Sequence, residues 1–451
     1  EYMQARAADI GDISQRVIKN LKGIADNAID TITEPCIIVA NDLTPSDTAK
    51  IGGKPVAGFI TKIGGRTSHS AIMARSMGIP AIVGAGEKAD EIADGDLLLI
   101  DGAAGEVVAQ PDEQTLADFA ERQKADAAHR AMLAQYKDKE GATSDGRRVI
   151  IEGNIGTPDD AVRVAELGGE GVGLFRSEFL FMDRTDLPSE EEQFAAYKKA
   201  CEIMQGKPVI IRTLDIGGDK EVPALALEKE QNPFLGYRAI RICLNQPELF
   251  LIQLRALLRA AQYGDLRIMF PMISSVDEVR GAKQVLEQAK DMLTAEGVPF
   301  NPNVKVGIMV EIPVAAVCAD VLAKEVDFFS IGTNDLIQYS CAVDRINEKI
   351  SYLYRPLHPG VLRLIAMTAK AANENGIEVG VCGEMAGTAG MAPVLCGLGV
   401  TNLSMSASAM LAAKADLAKH SCGECKELAD KLLACASASD AERIFADWRE
   451  S

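Results

Sequence analysis

Between Val149 and Ser408 the chain repeats one pattern eight times: a short apolar run, then a stretch of helical composition. The runs are VIIEGNIG, GVGLFRSEF, VIIRTLDIG, RIMFPMIS, VGIMVEIP, FFSIGTND, IEVGVCGEM and TNLSMSAS. Short continuous apolar runs bounded by turn residues suit strands buried on both faces, and parallel strands need long crossovers between them. Eight such units in roughly 270 residues match the count and size of a (β/α)8 barrel, so the fold class is α/β with a TIM barrel over 142–451.

Active sites of that fold collect at the C-terminal ends of the strands. The polar residues fall there. Arg176 follows GVGLF, Arg212 ends VIIR, Glu311 follows VGIMV, Asn334 and Asp335 follow FSIGT, and Cys382 sits in VGVCGE. Arg176, Arg212, Lys220 and Arg345 suit a substrate bearing phosphate and carboxylate, because guanidinium forks match both groups. In GYRAIRI, Arg238 is a further candidate for the site, while Arg241 has no evident place in it. Glu311 and Asp335 are hard oxygen donors that suit Mg2+, with substrate and water completing its shell. Four cations and Mg2+ against two carboxylates and a trianionic substrate leave a net of about +1, enough to hold the anion. Cys382, between glycines, is either a proton donor or a buried structural thiol; an ordinary cysteine stays mostly protonated at neutral pH.

At 451 residues the chain exceeds one ordinary core, and what precedes the barrel divides further. Residues 1–34 carry helical spacing, with Ile10, Ile13, Val17, Ile18, Leu21 and Ile24 on or near one face. From 35 to 110 the runs CIIVA, AGFIT, AIVG, LLLID and GEVVAQ alternate with Gly, Pro and Asp turns, as in a small α/β domain. Residues 111–141, rich in Ala, Glu, Lys and Gln, read as a solvated helical linker. Within the small domain, GGRTSHSAIMARSMGIPAIVG sets His69 after two glycines and two capping residues, at the start of a helix. Such a terminus favours a phosphate and keeps the imidazole neutral, as a phosphoryl acceptor must be. His129, His358 and His420 have no comparable setting.

A net charge of −18 opposes nonspecific binding to nucleic acid or anionic lipid. No apolar run approaches the roughly 20 residues that span a bilayer, and EYMQARAADIGD lacks the order of a signal peptide, so a cytoplasmic protein is expected. Most of the ten cysteines sit in apolar stretches and read as small buried hydrophobes in a reducing compartment. The clustered set is His420, Cys422, Cys425 and Cys435, whose C-x-x-C allows a metal or redox pair but lacks a second ligand pair at a standard spacing. GGEGVG at 168–173 precedes a strand instead of following one and reads as a turn, not a dinucleotide loop.

Taken together, GGRTSHSAIMARSMGIPAIVG, GLFRSEFLFMDR, RTLDIGGDK, NPFLGYRAIR, MVEIP, FFSIGTNDLIQY and VCGEMAG resemble Enzyme I of the bacterial sugar phosphotransferase system, the phosphoenolpyruvate-protein phosphotransferases. The resemblance runs over essentially the whole chain. It implies that His69 accepts the phosphoryl group of phosphoenolpyruvate, and that Arg176, Arg212, Asn334, Asp335 and Arg345 bind that substrate. It also implies that Glu311 and Asp335 hold Mg2+, that Cys382 protonates the enolate to give pyruvate, and that the barrel forms a homodimer. The small domain is then a swivelling carrier. Residues 1–34 resemble the last helix of the region that docks the histidine-containing phosphocarrier protein, most of which this sequence lacks, so handover to that partner is in question. Phosphoenolpyruvate synthase and pyruvate phosphate dikinase share the plan but add an ATP-binding domain. A dimer that senses phosphoenolpyruvate without turnover is a third reading, against which the complete set of acid, metal and acceptor residues speaks.

Overall fold

The computed structural model describes residues 29, 31–43, 47, 50–51, 54–64, 74, 79–102, 104–182, 184–218, 222–225, 227–345, 347 and 349–450. Its contacts divide the chain into two units, 1–128 and 129–451. In the first, β1 (Cys36–Ala40), β2 (Val56–Thr61) and β3 (Ala81–Ile82) form a parallel sheet in that order, and β4 (Leu98–Asp101) pairs antiparallel with β5 (Glu106–Ala109). Each of the five apolar runs read from the sequence becomes one of these strands. Leu43, Ile51, Val56 and Phe59 pack one core cluster, and Ile60, Ala89 and Ile100 another.

Helix α1 (Glu113–Ala134) has no buried residue, which accords with its mixed polar composition. It ends seven residues short of the Gly141 expected from composition, and 135–138 are turns. A buried lysine takes up two of the carbonyls that follow. Lys414 donates from Nζ to the carbonyls of Lys139 and Gly168, at 2.7 Å each, and reaches that of Lys137 at 3.4 Å. Those carbonyls face an ammonium instead of continuing a helical ladder. Gly168 (φ +72°) passes so near that a Cβ there would lie 1.8 Å from the Lys137 oxygen.

Eight parallel strands then close into a barrel in chain order: β6 (Ile150–Ile155), β7 (Val172–Arg176), β8 (Val209–Arg212), β9 (Leu266–Phe270), β10 (Lys305–Val310), β11 (Phe328–Ile331), β12 (Glu378–Val381) and β13 (Asn402–Met405). Closure comes from β13 pairing with β6, Asn402 opposite Ile150. All eight runs singled out in the sequence are strands of this barrel. Alternation sorts their residues. Leu174, Ile210, Met269, Met309, Phe328 and Cys382 form a small interior cluster, while Phe175, Ile211, Ile268, Ile308 and Phe329 join the large core under the outer helices. Two of those helices, α2 (Glu190–Met204) and α3 (Val276–Glu296), start in capping boxes, Ser189 with Glu192 and Ser275 with Glu278.

At the opposite end from the strand C-termini, the barrel interior holds Glu152, buried and with no hydrogen bond to Oε1. Burial pushes its carboxyl up to about 7; Glu378 and Glu170 add to this, while Arg267 and Asn402 oppose it. Between the ordinary value of 4.5 and about 7 the folded chain binds more protons than the unfolded one, so this group's contribution to stability falls as pH rises through that window. The stability gap between Glu152→Gln and wild type, measured by urea unfolding, should therefore move in favour of the variant by up to roughly 3 kcal/mol from pH 4 to pH 8. An unchanged gap would show that Glu152 ionises freely.

Candidate active site at the barrel mouth

The same alternation decides which side chains reach the barrel mouth. Two residues beyond the inward Leu174, Ile210 and Met309 come Arg176, Arg212 and Glu311, on the same side of their strands. Arg176 and Arg212 are register partners across β7 and β8. Cys382 closes the interior cluster just past β12, and Asn334 and Asp335 open helix α4 (Thr333–Cys341) just past β11.

The buried arginines are held by an alternating chain of charges. Arg212 pairs through Nη2 with Glu178 and through Nη1 with Asp215 Oδ2 at 2.8 Å. The other oxygen of Asp215 takes Arg238 Nη2 at 3.0 Å, and the same nitrogen lies 3.4 Å from Asp335 Oδ2. Arg345 Nη1 stands 4.0 Å from Asp335 Oδ1, and Arg238 Nη1 donates to the Tyr339 hydroxyl at 3.0 Å. Burial works against both buried guanidinium charges. Asp215 and Glu178 outweigh it at Arg212, Asp215 and Asp335 outweigh it at Arg238, and both arginines stay firmly charged. Close backbone approach makes this possible, since Gly217 (φ +102°) leaves room that a Cβ would take 2.5 Å from Arg238 Cβ.

The carboxylates facing that chain are poised differently. Glu311 accepts from the Met272 amide at 2.6 Å, with Met272 at φ 55°, a left-handed conformation that a methionine holds only under constraint. Burial, then the charges of Asp335 and Asp215, hold its carboxyl well above the usual range. Asp335 Oδ1 is buried and makes no hydrogen bond. A buried carboxylate oxygen without a donor, beside a carboxyl that burial keeps from ionising, is the donor chemistry a hard divalent cation would satisfy. Among the described residues no cluster of three or more His, Cys, Asp or Glu is arranged for a metal. Cys382 is buried under the same mouth; burial, with Glu311, pushes its thiol up to about 11 against Ser330, Arg212 and Arg176. Its carbonyl accepts from Asn154 Nδ2 at 2.9 Å. Asn334 Oδ1 accepts from the Glu384 amide at 3.2 Å, which ties α4 to the loop that carries Cys382.

Several sequence expectations need restating. The mouth brings together Arg212, Arg238, Arg345, Glu311, Asp335 and Cys382, with Asn334 and Arg176 beside them. His69 and Lys220 lie outside the described residues. The expected balance of Arg176, Arg212, Lys220 and Arg345 against two carboxylates is corrected: the mouth also holds Glu178 and Asp215 on the acidic side and Arg238 on the basic side, and Arg212, Arg238 and Arg345 pair with Glu178, Asp215 and Asp335. A buried guanidinium without a counter-ion would cost too much to fold. The signal was there in RSE and RTLD, acids two and three residues from an arginine at a strand end. Arg241 instead binds the Gly236 carbonyl at 2.8 Å and stays out of the site. A third layer was less visible. Gln253 accepts from the Leu214 amide at 2.9 Å and donates to Ser177 Oγ at 3.0 Å, while Ser177 Oγ donates to the Arg212 carbonyl at 2.6 Å. Its one trace in the sequence is a polar residue on the apolar face Leu249, Phe250, Leu254, Leu257.

Comparison with known proteins accords with this geometry. The model of the PEP-binding domain of PEP-utilising enzymes matches residues 130–422, and that of their mobile domain matches 32–105. The phosphoenolpyruvate-protein phosphotransferase of Priestia megaterium is 52% identical over 440 residues, covering 98% of this chain and 77% of the relative. The chain belongs to the phosphoenolpyruvate-protein phosphotransferase family. Family members from Bacillus subtilis and Staphylococcus carnosus are 51% and 48% identical over 451 residues, all of this chain and 79% of theirs. No helix among the described residues is long and apolar enough to cross a membrane.

Removing one partner of a buried charge pair leaves the other uncompensated. Glu178→Ala should therefore lower the unfolding free energy by about 3 kcal/mol. Glu178→Gln, which keeps the shape, should lose less in the same denaturant titration.

Proposed function

We propose that this chain transfers the phosphoryl group of phosphoenolpyruvate to His69 with release of pyruvate, and that the phosphohistidine then serves the histidine-containing phosphocarrier protein in sugar uptake. The observation that carries the reading is the barrel mouth, where Arg212 and Arg238, gripped by buried carboxylates, sit with Glu311, Asp335 and the protonated Cys382. The match of the mobile-domain model to 32–105, the span that contains His69, supports the acceptor assignment.

Phosphoryl transfer asks mainly for positioning and charge stabilisation. Arg212, Arg176 and Arg345, with Lys220, bind the phosphate and carboxylate of the substrate. Arg238 fixes Asp335 and Asp215, so that the guanidinium forks are set before the substrate arrives. Asn334 orients the substrate from the start of α4. Glu311 and Asp335 would hold Mg2+, which when bound neutralises phosphate and carboxylate oxygens. His69 attacks phosphorus with its neutral nitrogen, the bridging P–O bond breaks, and the electron pair stays on the departing enolate. The Cys382 thiol then gives its proton to the enolate C3 to form pyruvate, and solvent reprotonates the thiolate. A thiol raised to about 11 suits this step, because it is loaded with its proton at neutral pH. In the family the barrel also carries the homodimer contact, and we assign the same role to this one in a cytoplasmic enzyme.

Incubation with phosphoenolpyruvate and Mg2+ should label wild type with an acid-labile phosphate and leave His69→Ala unlabelled. Equal labelling would remove His69 as the acceptor. Cys382→Ala should still bind phosphoenolpyruvate but lose at least about tenfold in pyruvate formation, a change followed by coupled assay. Unaltered turnover would return Cys382 to a structural role.

A further inference from the structure

The cysteine cluster near the C-terminus plays no part in the transfer. All ten cysteines are free thiols, and Cys396, Cys422 and Cys425 lie in helices at the end of the barrel opposite the mouth. Cys396 lies in helix α5 (Met391–Gly397), whose chain turns through Gly399 (φ +95°) to enter β13. Cys422 and Cys425 occupy the first turn of helix α6 (Cys422–Leu433), capped by Ser421 with Glu424. The two helices touch backbone to backbone, for a Cβ on Gly397 would lie 2.0 Å from the Cys425 carbonyl oxygen. That contact sets the neighbouring Cys396 beside Cys425, and the two thiols influence each other's titration. An open cleft lined by Arg147, Asn373, Cys396, Cys422 and Lys426 leads in from solvent.

We propose that Cys396 and Cys425 are an oxidisable dithiol, a modification site for small hydroperoxides on the face of the barrel away from the phosphoryl-transfer site. Access comes through the cleft, where Arg147 and Lys426 give a positive wall that favours a thiolate. Cys396 lines the cleft beside Arg147, while Cys425 is fully buried behind it. Interaction with Cys425, then Arg147, lowers the Cys396 thiol against burial and Asp145, and Cys425 is pushed up. The division of labour follows. The Cys396 thiolate attacks a peroxide oxygen, the O–O bond breaks, and after proton uptake water leaves from hydrogen peroxide, or an alcohol from an organic hydroperoxide, with Cys396 as a sulfenic acid. The Cys425 thiol then attacks that sulfur, giving a disulfide and water. Two thiols are oxidised and one peroxide is reduced. Cys422, at the cleft and in the same C-x-x-C, has its amide bound to Asp145 Oδ1 at 2.9 Å. The proposal is independent of the transfer reaction.

The test is peptide mapping of the full chain after brief treatment with equimolar hydrogen peroxide and alkylation of the remaining thiols. The expected product is a Cys396–Cys425 cross-link, with the thiols titrated after unfolding falling by two from ten. Dithiothreitol should restore them, and Cys396→Ala should abolish the cross-link while keeping the circular dichroism of the wild type. A Cys422–Cys425 link, or oxidation spread over all ten thiols at similar rates, would overturn the assignment.

Discussion

A closed parallel barrel gives each strand one residue in two for its interior, and the site depends on that restriction. The parity that places Leu174, Ile210 and Met309 inside also places Arg176, Arg212 and Glu311 at the mouth, since each lies two positions further along. Slipping one strand by a single residue would bury its charged end group under the helices. Residues separated by more than two hundred positions, from Arg176 to Cys382, are thus assembled by a rule that acts within four or five residues of each.

Charge is the second constraint, and it explains why the mouth looks neutral. Two guanidinium groups in the interior of a protein would not remain there without compensation. Glu178 and Asp215 supply it, and Asp215 does so for both arginines at once, with one oxygen to each. The result is a rigid frame whose attraction for an anion comes from orientation more than from net charge. The rigidity reaches outward through Ser177 and Gln253, which bind the backbone of the segment that bears Arg212.

Much of this was legible from the chain alone, and for physical reasons. Strands covered on both faces must be apolar throughout, so the eight runs announced themselves, and their polar final residues marked the mouth. What remained hidden was the pairing. Asp215 stands three residues after Arg212 in RTLDIGGDK, yet nothing local says that its second oxygen serves Arg238, 23 positions away. Gln253 is a polar residue on an apolar helix face, and only the fold supplies its three partners. The end of α1 is another case: composition favours helix through residues 135–141, whereas the helix ends at Ala134 and the carbonyls of Lys137 and Lys139 face a distant lysine.

That lysine has a wider meaning. A barrel must join its last strand to its first, and hydrogen bonds between β13 and β6 do so only along the sheet. Lys414, between β13 and the C-terminus, draws together the segment that enters β6 and the loop that enters β7, so one ammonium sutures both ends of the chain's circuit. The barrel is then a ring with a clasp. Trimming the C-terminal helices would loosen its first strand as readily as its last, although the two are as distant in sequence as the fold permits.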